Sequence, residues 1–181
     1  MSSNKLIGAK ILMIIAPSNF RDEEYFIPWD IFVAEGAEVL TASTQRGSAR
    51  GSQGGEAVID YTLDNISGGD FSAFIFIGGQ GAYGLINDSN CHRIAKEALE
   101  AGRMICAICI APVILAKAGI LQGKRATVWT SETDKSAVAL LEQAGAIYQN
   151  DDIVQDGLII TANGPTAARK FAETIVNLLG T

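Results

Sequence analysis

Cys109 lies in the stretch from Arg103 to Gly119, which reads RMICAICIAPVILAKAG. Met104 to Ile108 is a short apolar run of the kind that forms a strand buried on both faces. From Ile110 to Ala118 the apolar residues recur at helical spacing, and Gly119 is a suitable C-cap. No loop separates the two, only Cys109. A strand that turns straight into a helix strains its junction residue and projects that side chain above the carboxyl edge of the sheet. The helix N-terminus beside it favours a thiolate, the nucleophilic form of cysteine. Ala107 and Ala111 are small enough for so tight a turn. The pattern is a nucleophile elbow with cysteine in the serine position.

Two other readings fit the same residues. Free cysteine is often a small core residue, and Cys106-Ala-Ile-Cys109 has the C-x-x-C form of a redox pair. The redox pair is the weakest of the three. Cys106 falls within the strand, where three extended residues span about 10 Å, whereas a disulfide needs Cα atoms within about 7 Å.

A second group of residues faces the same edge. Gly78-Gly79 follows the apolar run Ala73 to Ile77, and a glycine pair lets backbone N–H groups approach a ligand without obstruction. The N–H groups of Gly79 and Ile110 are the expected donors of an oxyanion hole beside Cys109. Gly78-Gly79 serves equally well as a plain chain turn. The single histidine, His92, is expected on a solvated surface. With one histidine far in sequence from Cys109, no catalytic metal site is expected.

Along the chain, strands and helices alternate. Lys10 to Ala16 is a buried strand, followed by a loop from Pro17 to Arg21. Asp22 is the expected N-cap of a helix that carries Glu23 and Glu24 in its first turn and ends near Glu35 and Gly36. Ala37 to Ser43 is the second strand. Arg46 to Gly55 suits turns with a short pairing strand, extended by Val58 to Asp60. Asp88 or Ser89 caps a helix to about Ala101. Beyond the elbow, a strand is expected over Ala126 to Trp129 and a helix over Glu132 to Ala144. Ile153 to Gln155 and Leu158 to Thr161 flank Asp156-Gly157, a hairpin signal. Asn163-Gly164-Pro165 opens a final helix to Leu179. This is the order of a doubly wound, mostly parallel α/β sheet with helices on both faces and one late hairpin. Ligands bind such sheets where strand carboxyl ends meet helix N-termini. Pro17 to Glu24, Gly78 to Tyr83, the elbow and Trp129 to Glu132 supply loops there.

The 181 residues fit one domain, 1–181, with 48% hydrophobic and 19% charged residues. The formal charge of −6 argues against nucleic acid and anionic membrane partners. No apolar run approaches a membrane span. Three cysteines without regular spacing fit a reducing, cytoplasmic setting.

Taken together, the buried strand, the acidic first-turn helix with Pro28 four residues after Glu24, the strand followed by Gly-Gly, and A-I-C-x-small-P resemble the ThiJ/PfpI superfamily. That group includes intracellular cysteine peptidases, glyoxalases and the oxidation-sensitive deglycase linked to parkinsonism. The resemblance spans essentially the whole chain. It implies a flavodoxin-like fold, a reactive Cys109, a protonated Glu24 hydrogen-bonded to the sulfur, and a homodimer or higher homo-oligomer. It departs from the family at two places. Ile110 stands where peptidase-like members carry histidine, and Trp129 where the parkinsonism-linked branch does. The peptidase reading therefore lacks its imidazole. What remains implies a stress-protective glyoxalase or deglycase, a glyoxalase III-like activity on a small carbonyl substrate without metal or cofactor. The alternative is a sensor whose Cys109 meets an oxidant. Trp129, Tyr25, Tyr83 and Trp29 are expected to form an aromatic pocket wall.

Overall fold

The computed structural model describes residues 4–181. Its centre is a seven-stranded sheet. In spatial order the strands are β11 (Ile153–Asp156), β12 (Ile159–Ala162), β8 (Met104–Ile108), β7 (Ala73–Phe76), β1 (Lys10–Ile14), β3 (Glu38–Ser43) and β6 (Tyr61–Thr62). Every neighbouring pair is parallel except β11 with β12. This is the expected doubly wound sheet with its late hairpin. The hairpin turn sits one residue later than expected, at Gly157-Leu158, with Gly157 at φ 60°.

Alternate residues of each strand face opposite ways, which divides the core in two. Leu12, Ile14, Phe74, Phe76 and Ile105 pack under α2 (Ser89–Glu100), α3 (Pro112–Lys117) and α4 (Ser136–Gln143). Ile11, Met13, Ile75 and Ile108 pack under α1 (Asp22–Ala34) and α5 (Ala168–Leu179). Both faces are covered, so the central strands are apolar throughout, and β8 is buried at all five positions.

Away from the main sheet, β2 (Ser18–Phe20) lies within the expected Pro17 to Arg21 loop and pairs with β4 (Gly47–Gly51). β4 is the short pairing strand expected within Arg46 to Gly55, and it pairs in turn with β5 (Glu56–Ile59), which overlaps the expected extension at Val58 to Asp60.

Three expectations need correction. The strand expected over Ala126 to Trp129 is only β9 (Arg125–Ala126), paired with β10 (Ile147–Tyr148) outside the main sheet. Beyond it the backbone turns to other partners. The Thr127 N–H donates to the Thr161 hydroxyl, and the Trp129 N–H donates to the Cys109 carbonyl. The helix expected from Glu132 begins only at Ser136, because Asp134 binds the Ser131 hydroxyl and the Ser136 backbone in a turn. Asp22 does not cap its helix. Arg21 occupies the N-cap with no side-chain cap, and the Asp22 carboxylate serves a neighbouring loop.

Candidate active site

Cys109 follows β8 directly and adopts φ 64°, a left-handed conformation that is strained for a residue with a Cβ. The strain is held from both sides. The Cys109 N–H donates to the Ala162 carbonyl at 2.9 Å, and its carbonyl accepts the Trp129 N–H at 2.8 Å. The tight junction needs the small neighbours seen in sequence, and Ala107 and Ala111 are both fully buried. Three residues on, Pro112 opens α3.

Glu24 lies in the first turn of α1 and is completely buried. Its Oε2 accepts the Gly78 N–H at 2.9 Å. Its Oε1 has no hydrogen-bond partner among the described residues, and the Cys109 side chain lies beside the carboxyl. Gly78 separates the two. A Cβ there would lie 2.6 Å from Cys109 Cβ and 2.8 Å from Glu24 Oε2. Gly78 is thus spent on positioning the acid, not on an oxyanion. The N–H groups of Gly79 and Ile110 lie against the Cys109 sulfur and pull its titration down. Gly79 sits at φ 98°, where an added Cβ would meet the Arg21 nitrogen at 2.5 Å.

The protonation pattern differs from the expectation of a thiolate set by the helix end. Burial pushes Glu24 up to about 7, although Cys109, the Gly78 N–H and Arg21 pull the other way. Burial and the Glu24 charge push Cys109 up to about 12, against the pull of the two N–H groups. The two groups adjoin, each shifts the other, and they titrate as a pair. One proton leaves near neutrality and the second leaves only in strong alkali. Between those limits a single proton lies on the pair, and a thiolate forms when Glu24 carries it.

Above the pair opens a cavity of about 400 Å³. It is lined by Cys109, Glu24, Gly79, Ile110, Trp129 and Tyr83, and also by Arg21, Ser52, Gln80 and Pro165. Trp129 and Tyr83 form the expected aromatic wall. Tyr25 and Trp29 do not belong to it. The Tyr25 ring is buried toward β3, with its hydroxyl 2.7 Å from the Thr41 hydroxyl, and it borders a separate groove with Trp29. Tyr25 follows Glu24 by one residue, about 100° around the helix, and so faces elsewhere. His92 is half-buried rather than solvated, with Nε2 2.7 Å from the Ile86 carbonyl. It takes no part in the cavity. Cys106 and Cys91 are fully buried on opposite faces of the sheet. Among the described residues no group of three His, Cys, Asp or Glu side chains gathers as a metal site. No helix among them is long and apolar enough to cross a membrane.

Several site residues were not singled out in sequence. Asp22 is buried, and its carboxylate accepts the N–H groups of Gln53 and Gly55 at 2.8 Å each and the Ser52 hydroxyl at 3.4 Å. The loop from Gly51 to Gly55 is thereby wrapped around it. An added Cβ on Gly51 or Gly55 would strike the Asp22 carboxylate. This wrapping brings Ser52 to the cavity wall. The glycines at 51, 54 and 55 were the available signal.

An acid in a first helical turn, a Gly-Gly loop and a cysteine elbow at one sheet edge now have their geometry. The profile of the DJ-1/PfpI family matches residues 9–178. The chain belongs to that family. A protein named only as uncharacterised from Methanocaldococcus jannaschii is 37% identical over 173 residues, covering 95% of this chain and 83% of the relative. A protein named a deglycase from Pyrococcus horikoshii is 28% identical over 170 residues, covering 94% and 99%. One named a glutathione-independent glyoxalase from Caenorhabditis elegans is 28% identical over 168 residues, covering 93% and 87%. The solved ThiJ/PfpI domain protein of Brachyspira murdochii superposes with a TM-score of 0.89 at 32% identity, covering 94% of this chain and 95% of that one. The flavodoxin-like fold of the DJ-1/PfpI family is therefore also the fold of this chain.

Proposed function

We propose that this protein is a glyoxalase or deglycase that acts on α-oxoaldehydes through Cys109 and Glu24, in protection against reactive carbonyls. The observation that carries the reading is the fully buried Glu24 carboxyl beside Cys109 at the floor of the cavity, with burial the main push on both groups toward their neutral forms. The relatives named deglycase and glyoxalase support the same reaction class.

With methylglyoxal, the Cys109 sulfur attacks the aldehyde carbon and forms a C–S bond. The carbonyl electron pair moves to oxygen, which takes the Glu24 proton to give a hemithioacetal. The Glu24 carboxylate then removes the proton from that carbon and returns it to the neighbouring carbonyl carbon, while the hydroxyl proton passes between the two oxygens. The product is a lactoyl thioester. Water cleaves it to lactate, returns one proton to the Glu24–Cys109 pair and releases one to solvent.

The test is lactate formation from methylglyoxal by wild type, Cys109→Ser and Glu24→Gln. Turnover lost in both variants supports the reading, and no lactate from wild type overturns it. A second reading, oxidation sensing, draws on the Gly79 and Ile110 N–H groups, which would hold the oxygens of a Cys109 sulfinate. Stoichiometric gain of two oxygen atoms under mild peroxide, with no lactate from methylglyoxal, would favour it.

A further inference from the structure

Arg21 is the one cationic side chain lining the Cys109 cavity among the described residues. Its guanidinium is held rather than free. Nε donates to Glu23 Oε2 at 2.9 Å and Nη2 to Glu23 Oε1 at 3.2 Å. Glu23 is fixed in turn by the Gln53 side-chain amide at 3.1 Å. The Arg21 backbone N–H is anchored on the Gly78 carbonyl at 3.1 Å. A guanidinium has five N–H groups, and this forked pairing uses two of them. The two on Nη1 and the second on Nη2 have no acceptor among the described residues. Their edge of the fork matches a planar carboxylate. The rest of the cavity rim offers neutral groups, from Gln80, Ser52, Tyr83 and Trp129. A half-exposed Arg–Glu pair contributes little to stability by itself.

We infer that Arg21 is a specificity residue that draws carboxylate-bearing α-oxoaldehydes to Cys109, with the substrate carboxylate on the open guanidinium edge and the aldehyde at the sulfur. The inference rests on the α-oxoaldehyde reading and names its substrate class. Glu23 presets the orientation of the fork, and Glu24 feels the same charge.

The test compares two alkylating agents of nearly one shape, iodoacetate and iodoacetamide, on the intact protein. In each, the sulfur forms a bond to the methylene carbon and iodide leaves with the electron pair. Only iodoacetate carries the carboxylate. The rate ratio of iodoacetate to iodoacetamide at Cys109, divided by the same ratio for free glutathione, reports attraction of the anion whatever the intrinsic thiol reactivity. We expect a normalised ratio above unity, falling about tenfold in Arg21→Gln and only partly in Arg21→Lys. Melting curves check that both variants fold. The same normalised ratio in wild type and Arg21→Gln overturns the inference. Lactate formation with an unchanged ratio leaves the α-oxoaldehyde reading standing and sinks only the anion preference. A Cys109 inert to both reagents overturns both.

Discussion

Gly78 binds the start of α1 through both of its backbone groups, with its N–H on Glu24 Oε2 at 2.9 Å and its carbonyl on the Arg21 N–H at 3.1 Å. The loop after β7 and the first turn of α1 are therefore joined at a single residue, and the acid cannot move without that loop. The space left by the missing Gly78 side chain is where Cys109 Cβ and Glu24 Oε2 approach one another.

Gly78→Ala is expected to disable the site without blocking its mouth. The new methyl group would sit 2.6 Å from Cys109 Cβ and 2.8 Å from the Ile108 carbonyl, which are fixed atoms. Overpacking of this kind costs about 1–3 kcal/mol. Gly84→Ala, with open space around its Cβ, is the control for stability. Matching melting temperatures for the two variants would refute the packing account.

Glu24 titrates at about 7 in the folded protein against an ordinary value of 4.5. Above pH 4.5 the unfolded chain gives up this proton while the folded protein keeps it. Stability contributed by the neutral carboxyl is thus complete below 4.5, declines as pH rises to about 7, and is flat beyond. The difference corresponds to roughly 3 kcal/mol. Glu24→Gln keeps an acceptor for Gly78 but does not titrate, so its stability should change less between pH 5 and pH 8. Urea unfolding at the two pH values measures this, and parallel behaviour of variant and wild type would contradict it.

Cys109 should be the fast-labelling thiol. Cys106 and Cys91 are fully buried, whereas Cys109 is only partly buried and opens onto the cavity. Cys91 sits on a helix but points into the core. With iodoacetamide at pH 8, both should react at least about tenfold more slowly than Cys109. Peptide mapping that finds either one labelled first would remove the elbow assignment.

Asp22 should hold the cavity wall. Burial pushes its carboxyl up, but the N–H groups of Gln53 and Gly55 outweigh that and leave it below 3.8. Its stabilisation is therefore present above pH 3.8 and is lost as pH falls through the lower folded value. Asp22→Ala should cost about 1.5–3 kcal/mol, the range for hydrogen bonds to a charged group, and expose the chain to trypsin at Arg50. Unchanged cleavage at Arg50 would show that the loop does not depend on Asp22.

The strand-to-helix junction at Cys109 could be read from sequence because it is local, an apolar run meeting a helical period with no residues between. The central strands were legible for the same reason, being apolar on both faces. The stretch beyond Ala126 misled because Val128 is buried, yet its neighbours bond to Thr161 and Cys109 from distant elements. Asp22 looked like a cap because capping is a local rule, while its partners lie some thirty residues away at Gln53 and Gly55. Tyr25 was misplaced by a one-residue step around a helix. Ser52 and Pro165 reach the cavity only through tertiary packing, and no spacing marks them.

The bonds from Ala162 and Trp129 grip residue 109 by its main chain alone. Position and chemistry are therefore separable at this site. A different side chain at 109 would inherit the same location and the same two N–H neighbours, so the scaffold acts as a socket whose reagent can be exchanged by point substitution. Cysteine bears the strain of the left-handed backbone that glycine would not, so the site carries its reagent at a cost in stability.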